Sequence, residues 1–455
     1  MNFSDIKNIH FVGIGGIGMS GIAEILADAG VAVSGCDLKR SATTELLASR
    51  GIRVHIGHDA AHVEGVDAIV VTAAVKGHND EVEAARLHGV RVILRAEMLG
   101  AIVNEKRAVG VSGTHGKTTT SAMIATVLEE AGLDPTILIG GMLRNFATNA
   151  KSGRGEFLVA EADEYARTFH YLHPEIAVVT NIEADHLEYY GSFDAIVEAF
   201  GIFVAGVRNA VVACADDENV MRVCGSGLSP TDARKPTVIT YGLGENAEVR
   251  AINIAFSELG STFDVPGVGS FSLRVPGEHN VRNALAAIAV ARRLGLATDA
   301  IRSGLEKFLG VDRRFQILGD YAGAIVVDDY AHHPTEIRAT LNAARRGYPT
   351  RRIVALFQPH LYSRTIDFAK EFAEALSVAD VSIVAPIYAA REQPVEGVSA
   401  RLISDAASGI EFLDRSNIQI VNELRRRLTA NDLFITMGAG DVHEIAEMLV
   451  RGEAA

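Results

Sequence analysis

The sequence predicts an α/β protein of about three domains, two open strand–helix units flanking a central unit with a mixed sheet. Three observations carry this. At 455 residues the chain is too long to surround one core. Short apolar runs alternate with helix-spaced segments in the first hundred residues, and again from 311 to the end. Between them, runs at 249–256, 261–265 and 271–275 alternate polar and apolar residues as antiparallel strands do. Boundaries after 107 and 310 give domains of 1–107, 108–310 and 311–455, the first boundary marked by the polar end of 101–107.

Composition narrows the class. Hydrophobic content of 48% and charged content of 22% are ordinary for a globular chain. A net charge of −14 argues against a general nucleic-acid binder, because holding a phosphate backbone takes a basic surface. An anionic substrate must then be met by local positive sites. Cys36, Cys214 and Cys224 are an odd, scattered set with no disulfide framework and no paired zinc motif, which fits a reducing compartment. The mixed polar start predicts no signal peptide, and no apolar run nears the roughly 18 residues of a membrane helix. The expected setting is cytoplasmic, without membrane or nucleic-acid partners.

In the first unit, 9–12, 31–33 and 68–72 read as buried parallel strands, with helices at 17–29 and 79–87 between them. Gly13-Ile14-Gly15-Gly16-Ile17-Gly18 joins a strand to a helix, and Asp37 ends the next strand. That pattern suits a diphosphate: the glycines admit close backbone approach, the helix N-terminus favours negative charge, and the acid could bind a ribose hydroxyl.

The central unit opens on Val109 and Val111, then Gly113-Thr114-His115-Gly116-Lys117-Thr118-Thr119, then helical spacing over 120–130. Strand, glycine turn and helix start make an anion site, Lys117 adds a full charge, and Thr118 stands where a P-loop hydroxyl holds Mg²⁺. Val111 occupies the place of the first P-loop glycine, so only the Gly-Lys-Thr half matches. Strands at 157–159 and 176–180 end in Glu161-Ala162-Asp163-Glu164 and in Thr180-Asn181-Ile182-Glu183-Ala184-Asp185-His186. Acids there could complete a Mg²⁺ shell, and ligands gather off the carboxyl ends of such sheets. Gly277-Glu278-His279-Asn280-Val281-Arg282-Asn283 precedes a helix read over 281–294; Asn280 and Asn283, one turn apart, could face one adenine edge, or Asn280 could simply cap the helix. Another helix closes the unit.

The last unit has strands at 324–327, 352–357, 381–385 and 433–436, with helices at 335–346 and 364–376. Asp312-Arg313-Arg314-Phe315 precedes it. Asp328-Asp329-Tyr330-Ala331-His332-His333-Pro334 and Phe357-Gln358-Pro359-His360-Leu361-Tyr362-Ser363-Arg364 follow its strands. The histidines lack zinc spacing, whereas the arginines suit a carboxylate or phosphoryl group. Gly438-Ala439-Gly440-Asp441 reads as a structural turn.

Eight stretches thus stand in order: GIGGIGMSG at 13–21, GTHGKTTT at 113–120, EADE at 161–164, TNIEADH at 180–186, GEHNVRNALAA at 277–287, DDYAHHP at 328–334, FQPH at 357–360 and MGAGD at 437–441. Together they resemble the Mur ligases of peptidoglycan synthesis, over essentially the whole chain. The resemblance implies a Rossmann-like N-terminal domain for a UDP-sugar, a central ATPase and a Rossmann-like C-terminal domain for an amino acid. It implies that ATP activates the lactyl carboxylate of UDP-N-acetylmuramate as an acyl phosphate, which the amine of L-alanine then attacks, in a monomer or homodimer.

By motif, Lys117 would steady the β/γ-phosphates, and Thr118, Glu161 and His186 would hold Mg²⁺, with Mn²⁺ as a substitute. Gly113 to Thr119, His279, Asn280, Asn283, Arg314 and Asp329 would bind ATP. Gly13, Gly15, Gly16, Gly18 and Asp37 would bind the UDP-sugar, and Tyr330, His332, His360 and Arg364 would line the amino-acid side. Lys117, His186, His332 and Arg364 would be catalytic. The chain departs from the family pattern at Ala166 and Thr168, where an acid and a serine are usual, and at Leu361, where an arginine is usual. A ligase adding a tripeptide to the same sugar is the nearest rival, but its first glycine loop carries a Cys and an aromatic where this chain has Gly15-Gly16-Ile17. A dehydrogenase using Gly13–Gly18 for NAD would leave Lys117, Glu161 and His186 idle.

Overall fold

The computed structural model describes residues 5–72, 78–225, 236–258, 260–390 and 392–452. Two compact bodies emerge: Met1–Ile252 with Asp264–Ser270 and Arg282–Phe308, and Asn253–Phe263 with Phe271–Val281 and Leu309–Ala455.

The first body begins with β1 (Asn8–Val12), α1 (Ile17–Asp28), β2 (Ala32–Asp37), α2 (Ala42–Ser49), β3 (Arg53–Ile56), β4 (Ala68–Val71), α3 (Asp80–Leu87), β5 (Arg91–Leu94) and α4 (Arg95–Asn104). These strands form a parallel sheet in the order β3-β2-β1-β4-β5. The order reverses beside β1, which opens a crevice off its carboxyl end, where the first glycine loop lies. Two strands and two helices of this unit went unread in the sequence. β3 and β5 are four-residue segments with arginine at their first position; β3 has no apolar run, and that of β5 is only Val92-Ile93-Leu94.

Next come β6 (Arg107–Ser112), α5 (Lys117–Glu130), β7 (Thr136–Leu143), β8 (Thr148–Lys151), β9 (Phe157–Glu161), β10 (Ile176–Val179), α6 (Leu187–Tyr190), α7 (Phe193–Ala205), β11 (Ala210–Cys214), α8 (Glu218–Gly225), β12 (Thr237–Gly242) and β13 (Val249–Arg250). Their sheet runs β13-β12-β11-β10-β6-β9-β7-β8, parallel except for the β7–β8 hairpin. Phe169, after β9, stacks on Phe203 at 5.0 Å and meets Phe200 edge-on at 5.2 Å, anchoring the β9–β10 connection on α7.

The run read as one antiparallel strand over 249–256 is two strands. β13 pairs parallel with β12, and β14 (Ile252–Ser257) joins β15 (Gly260–Val265) and β16 (Gly269–Leu273) in a separate three-stranded sheet. Buried Ala251, between β13 and β14, is not in a strand. The long helix α9 starts at Glu278 and ends at Arg293, so Asn280 lies inside its first turn and is not its cap. Helix α10 (Thr298–Lys307) follows.

In the second body β17 (Gln316–Tyr321), β18 (Ala324–Asp329), α11 (Pro334–Gly347), β19 (Arg352–Phe357), α12 (Tyr362–Leu376), β20 (Val381–Val384), α13 (Arg401–Ser404), β21 (Ile410–Phe412), α14 (Asn417–Arg427), β22 (Asp432–Met437) and α15 (His443–Arg451) build a sheet ordered β17-β18-β22-β19-β20-β21. Only β17, a hairpin partner of β18, runs antiparallel. One apolar layer, including Ile337, Leu341 and Phe372, and another, including Val421, Ile445 and Leu449, pack with this sheet.

The β6–α5 turn is tightly packed. Gly113 has φ +134°, and a Cβ there would fall 2.0 Å from Thr180 Oγ1. Gly113→Ala therefore combines backbone strain with a steric overlap, and should destabilise the first body by at least about 3 kcal/mol in urea unfolding.

Candidate active site

In the first body, the glycine loop is built by β2. Cys36 O accepts from Gly13 N and Ile14 N, each at 2.9 Å. Asp37 Oδ2 accepts from Gly15 N at 2.9 Å, and its Oδ1 from Leu38 N at 2.8 Å. The carboxylate singled out for a ribose is thus engaged with the loop backbone. Arg95, at the start of α4, lies beside Gly18: a Cβ on that glycine would stand 3.0 Å from its Nη1. A cavity of about 330 Å³ opens here, with Gly16, Gly18 and Arg95 on one side and Gly140, Glu161 and Asp163 on the other. Arg95 escaped notice in the sequence because it belongs to no glycine motif.

Beside this cavity sits the Lys117 turn. Gly116, at φ +82°, is the residue before α5, and Lys117 is its first helical residue. The ammonium of Lys117 donates to Gly113 O at 2.6 Å, Thr114 O at 3.2 Å, and both oxygens of Glu164 at 3.0 and 2.8 Å. Burial opposes its charge, but Glu164 and Asp163 overcome this and hold its pKa up at about 12. The segment after β10 clamps the same turn. Thr180 Oγ1 donates to His115 O at 2.6 Å, His115 N donates to Asn181 Oδ1 at 2.8 Å, and Glu183 N donates to Thr114 Oγ1 at 2.9 Å. Asn283 braces it as well, accepting from Thr120 Oγ1 at 3.1 Å with its Oδ1 close to Gly116.

Glu161 ends β9, accepts from Gly140 N at 2.7 Å, and hydrogen-bonds Thr118. Burial pushes its carboxyl above the usual range, against these hydrogen bonds and the charge of Lys117. A hydroxyl and a half-buried carboxylate are hard oxygen donors, the set that Mg²⁺ takes alongside phosphate. His186 immediately precedes α6 and is held by other contacts. Its backbone is left-handed at φ +56°, and its ring meets that of Tyr165 edge-on at 4.8 Å with Asp185 and Glu188 nearby. Of the three expected metal ligands, Thr118 and Glu161 are joined directly. Ala166, one of the departures, is left-handed at φ +52°, and Thr168 donates to Asp163 O at 2.6 Å and lines the cavity.

In the second body, the carboxyl ends of β18, β19 and β22 gather the remaining residues. Arg313 pairs with Asp328 at 2.9 Å and donates to Gly438 O at 2.7 Å, so the glycine turn after β22 is tied to this arginine. The guanidinium groups of Arg313 and Arg314 lie 5.0 and 5.3 Å from the ring of Tyr330, and Arg314 pairs with Glu336 at 3.5 Å. His332 Nδ1 is 3.0 Å from Tyr330 O, and the rings of His332 and His360 are 6.0 Å apart. Arg364 is buried on α12. Leu361, where the family pattern has arginine, is buried at φ +72°, its N–H donating to Tyr388 O at 3.0 Å. Asn280 donates to Pro276 O at 2.7 Å, and the ring of His279 folds against Gly277. Gln358, given no role within its motif, donates to Asp441 Oδ1 at 2.7 Å and accepts from Val442 N at 3.1 Å, joining the β19 and β22 loops.

Asp329 is the most perturbed acid of this group. It accepts from Phe315 N and Ala331 N, each at 2.8 Å, yet burial still pushes its pKa up to about 6, against the pull of Arg314. A carboxyl whose folded pKa exceeds its unfolded one holds its proton longer when folded, so its contribution to stability is lost as pH rises from about 4 to about 6. Asp329→Asn removes that dependence. Relative to the variant, the wild type should lose roughly 2–3 kcal/mol between pH 4 and pH 7.5 in denaturant unfolding, on top of a constant offset for the lost second acceptor.

The chain matches three family models: "Mur ligase family, catalytic domain" over residues 8–107, "Mur ligase middle domain" over 111–291, and "Mur ligase, glutamate ligase domain" over 313–440. The UDP-N-acetylmuramate–L-alanine ligase of Trichlorobacter lovleyi is 46% identical over 460 residues, covering 99% of both chains. That of Renibacterium salmoninarum is 45% identical, covering 98% of this chain and 95% of the relative. The crystal structure of the UDP-N-acetylmuramate-alanine ligase of Thermotoga maritima superposes with a TM-score of 0.82 at 30% identity, covering 98% of this chain and 99% of the other. A murein peptide ligase from Psychrobacter arcticus, at 24% identity and a TM-score of 0.71, shares the fold. With three consecutive family models and full-length relatives at this identity, the chain belongs to the Mur ligase family and has its three-domain α/β fold.

Proposed function

We propose that the protein is an ATP-dependent ligase that joins L-alanine to the lactyl carboxylate of UDP-N-acetylmuramate, forming ADP and phosphate, in cytoplasmic peptidoglycan precursor synthesis. The observation that carries this reading is the cavity shared by Gly18 and Arg95 with Glu161 and Asp163, which sets a cradle for a diphosphate beside the Lys117 turn. No helix among the described residues is long and apolar enough to cross a membrane. The relatives named as L-alanine ligases match over their full length, which favours L-alanine over a tripeptide. Domains of 1–107, 108–310 and 311–455 would take the UDP-sugar, ATP and the amino acid respectively.

The chemistry asked of the residues follows from charge. A carboxylate is a poor electrophile, and it must approach a triphosphate that repels it. Lys117 keeps its proton and meets the β/γ-phosphates, while the N–H groups opening α5 add partial positive charge. The carboxylate oxygen attacks the γ-phosphorus and ADP leaves, giving an acyl phosphate. The alanine amine then attacks the carbonyl carbon, loses a proton, and expels phosphate. Mg²⁺, or Mn²⁺ in its place, held by Thr118 and Glu161 with His186 as a third donor, would neutralise charge on the phosphate oxygens. Gly13, Gly15, Gly16, Gly18, Asp37 and Arg95 would seat the UDP-sugar. His279, Asn280, Asn283, Arg314 and Asp329 would serve the nucleotide, and Tyr330, His332, His360 and Arg364 the amino acid.

Phosphate release from ATP should require both UDP-N-acetylmuramate and L-alanine, and Lys117→Ala should lower kcat by roughly 100–1,000-fold. Equal release with a tripeptide, or with neither acceptor, would sink the assignment. Arg95→Ala should raise KM for the UDP-sugar by roughly 10–100-fold, the worth of a charge-assisted hydrogen bond, and leave KM for L-alanine unchanged in steady-state kinetics.

A further inference from the structure

Behind the glycine loop, the first sheet buries a second polar cluster that the proposed ligase chemistry does not use. His10 lies at the middle of β1 between Ile9 and Phe11 and is fully buried. Cys36 on β2 and Glu81 on α3 are also fully buried, and His62 sits on the short 3₁₀ turn Ala60–Val63. One potential ligand atom from each of the four lies within 4.8 Å of the others. Cys36 Sγ is 3.1 Å from Glu81 Oε2, and His62 Nδ1 is 2.6 Å from Glu81 Oε1.

The decisive atom is His10 Nε2. It is buried and makes no hydrogen bond of ordinary length; its neighbour Glu81 Oε1 is 3.6 Å away, a long contact that still helps hold the Glu81 carboxyl low. An orphaned ring nitrogen in a dry strand is costly unless something satisfies it. Its other nitrogen, Nδ1, is 2.9 Å from Ser34 Oγ. A proton held there leaves the Nε2 lone pair aimed into the cluster, the arrangement by which outer partners orient metal-bound imidazoles. His58 supplies a further outer contact, its Nδ1 2.8 Å from Glu81 Oε2. Val12, Val63, Ile69 and Val82 wall the cluster in apolar packing. One sulfur, two nitrogens and a carboxylate are donor types that zinc takes; its ligand atoms stand roughly 3.3–3.7 Å apart for bonds of about 2.0–2.3 Å, so the 2.6 and 3.1 Å contacts to Glu81 would lose their protons and open as the metal enters.

We propose that His10, Cys36, His62 and Glu81 form a structural site for Zn²⁺ that fastens β1, β2, the 3₁₀ turn and α3 together behind the glycine loop. The link to the loop is short, because the carbonyl of Cys36 accepts from Gly13 N and Ile14 N. The alternative is a metal-free hydrogen-bonded core network around Glu81.

The test uses untagged full-length protein, stripped with chelator, re-equilibrated with Zn²⁺ or Co²⁺ and desalted. The zinc site predicts about one equivalent of Zn²⁺ retained per chain, and a raised unfolding midpoint that Cys36→Ser does not share. It also predicts that the Co²⁺ form shows a near-ultraviolet sulfur-to-cobalt charge-transfer band. That band should vanish in Cys36→Ser and persist in the Cys214→Ser, Cys224→Ser double variant, which separates this site from metal bound by oxygen donors at Glu161. Should Cys36→Ser fail to fold, the wild-type spectrum against the double variant still decides. Folded wild type that retains less than about a tenth of an equivalent of zinc, or whose cobalt form lacks the thiolate band, overturns the proposal.

Discussion

The ammonium of Lys117 is the constraint on which the central sheet is organised. A buried cation costs several kcal/mol unless it is paired and hydrogen-bonded. Here two turn carbonyls and the carboxylate of Glu164 meet it, so the price of burial is offset within the loop itself. That demand fixes the surroundings. Glu164 must come from the end of β9, which sets where the β9–β10 connection starts. Its own carbonyl accepts from the hydroxyl of Tyr190, tying α6 to the same point. The left-handed residues Ala166 and Arg167 then turn the chain so that Phe169 reaches its aromatic pocket. Two left-handed non-glycine residues each cost of order 1–3 kcal/mol, and the burial of Phe169 offsets a strain of that size.

What the sequence displayed and what it hid divide along a physical line. Buried parallel strands such as β1, β4, β10 and β19 stand out because both of their faces are apolar. Glycine turns stand out because few residues tolerate positive φ. Short edge strands such as β3 and β5, and the hairpin of β7 and β8, carry no such mark. The break at Ala251 was hidden because a change of sheet leaves little trace in polar alternation.

The site divides in the same way. Lys117, Thr118 and Glu161 were legible because each lies in a short motif at a strand end. Glu164 stood in its motif without a role, since only the fold shows which acid takes the lysine. Gln358 likewise stood in a motif without a role, and Arg95 and the His10–Cys36–His62–Glu81 cluster were invisible, because their neighbours are far along the chain and no spacing announces them. Asn280 and Asn283 show the reverse: helical spacing put them together, yet Asn280 bonds the preceding turn and Asn283 the phosphate loop.

A chain with a net charge of −14 that is proposed to bind a triphosphate and a diphosphate must limit the negative charge it turns towards them. It does so in part by spending loop and strand-end carboxylates on backbone N–H groups. Asp37 takes those of Gly15 and Leu38, Asp217 those of Ile182 and Val220, Asp329 those of Phe315 and Ala331, and Glu392 those of Tyr362 and Ser363. Each such acid shapes a loop and has its charge turned inward. What faces the cavity is a mixed set: helix N-termini, glycine amides and Arg95, together with Glu161 and Asp163, while Lys117 stands beside it paired with Glu164. Acidity and anion binding are thus compatible in one molecule, because much of the negative charge is structural where the positive charge is presented.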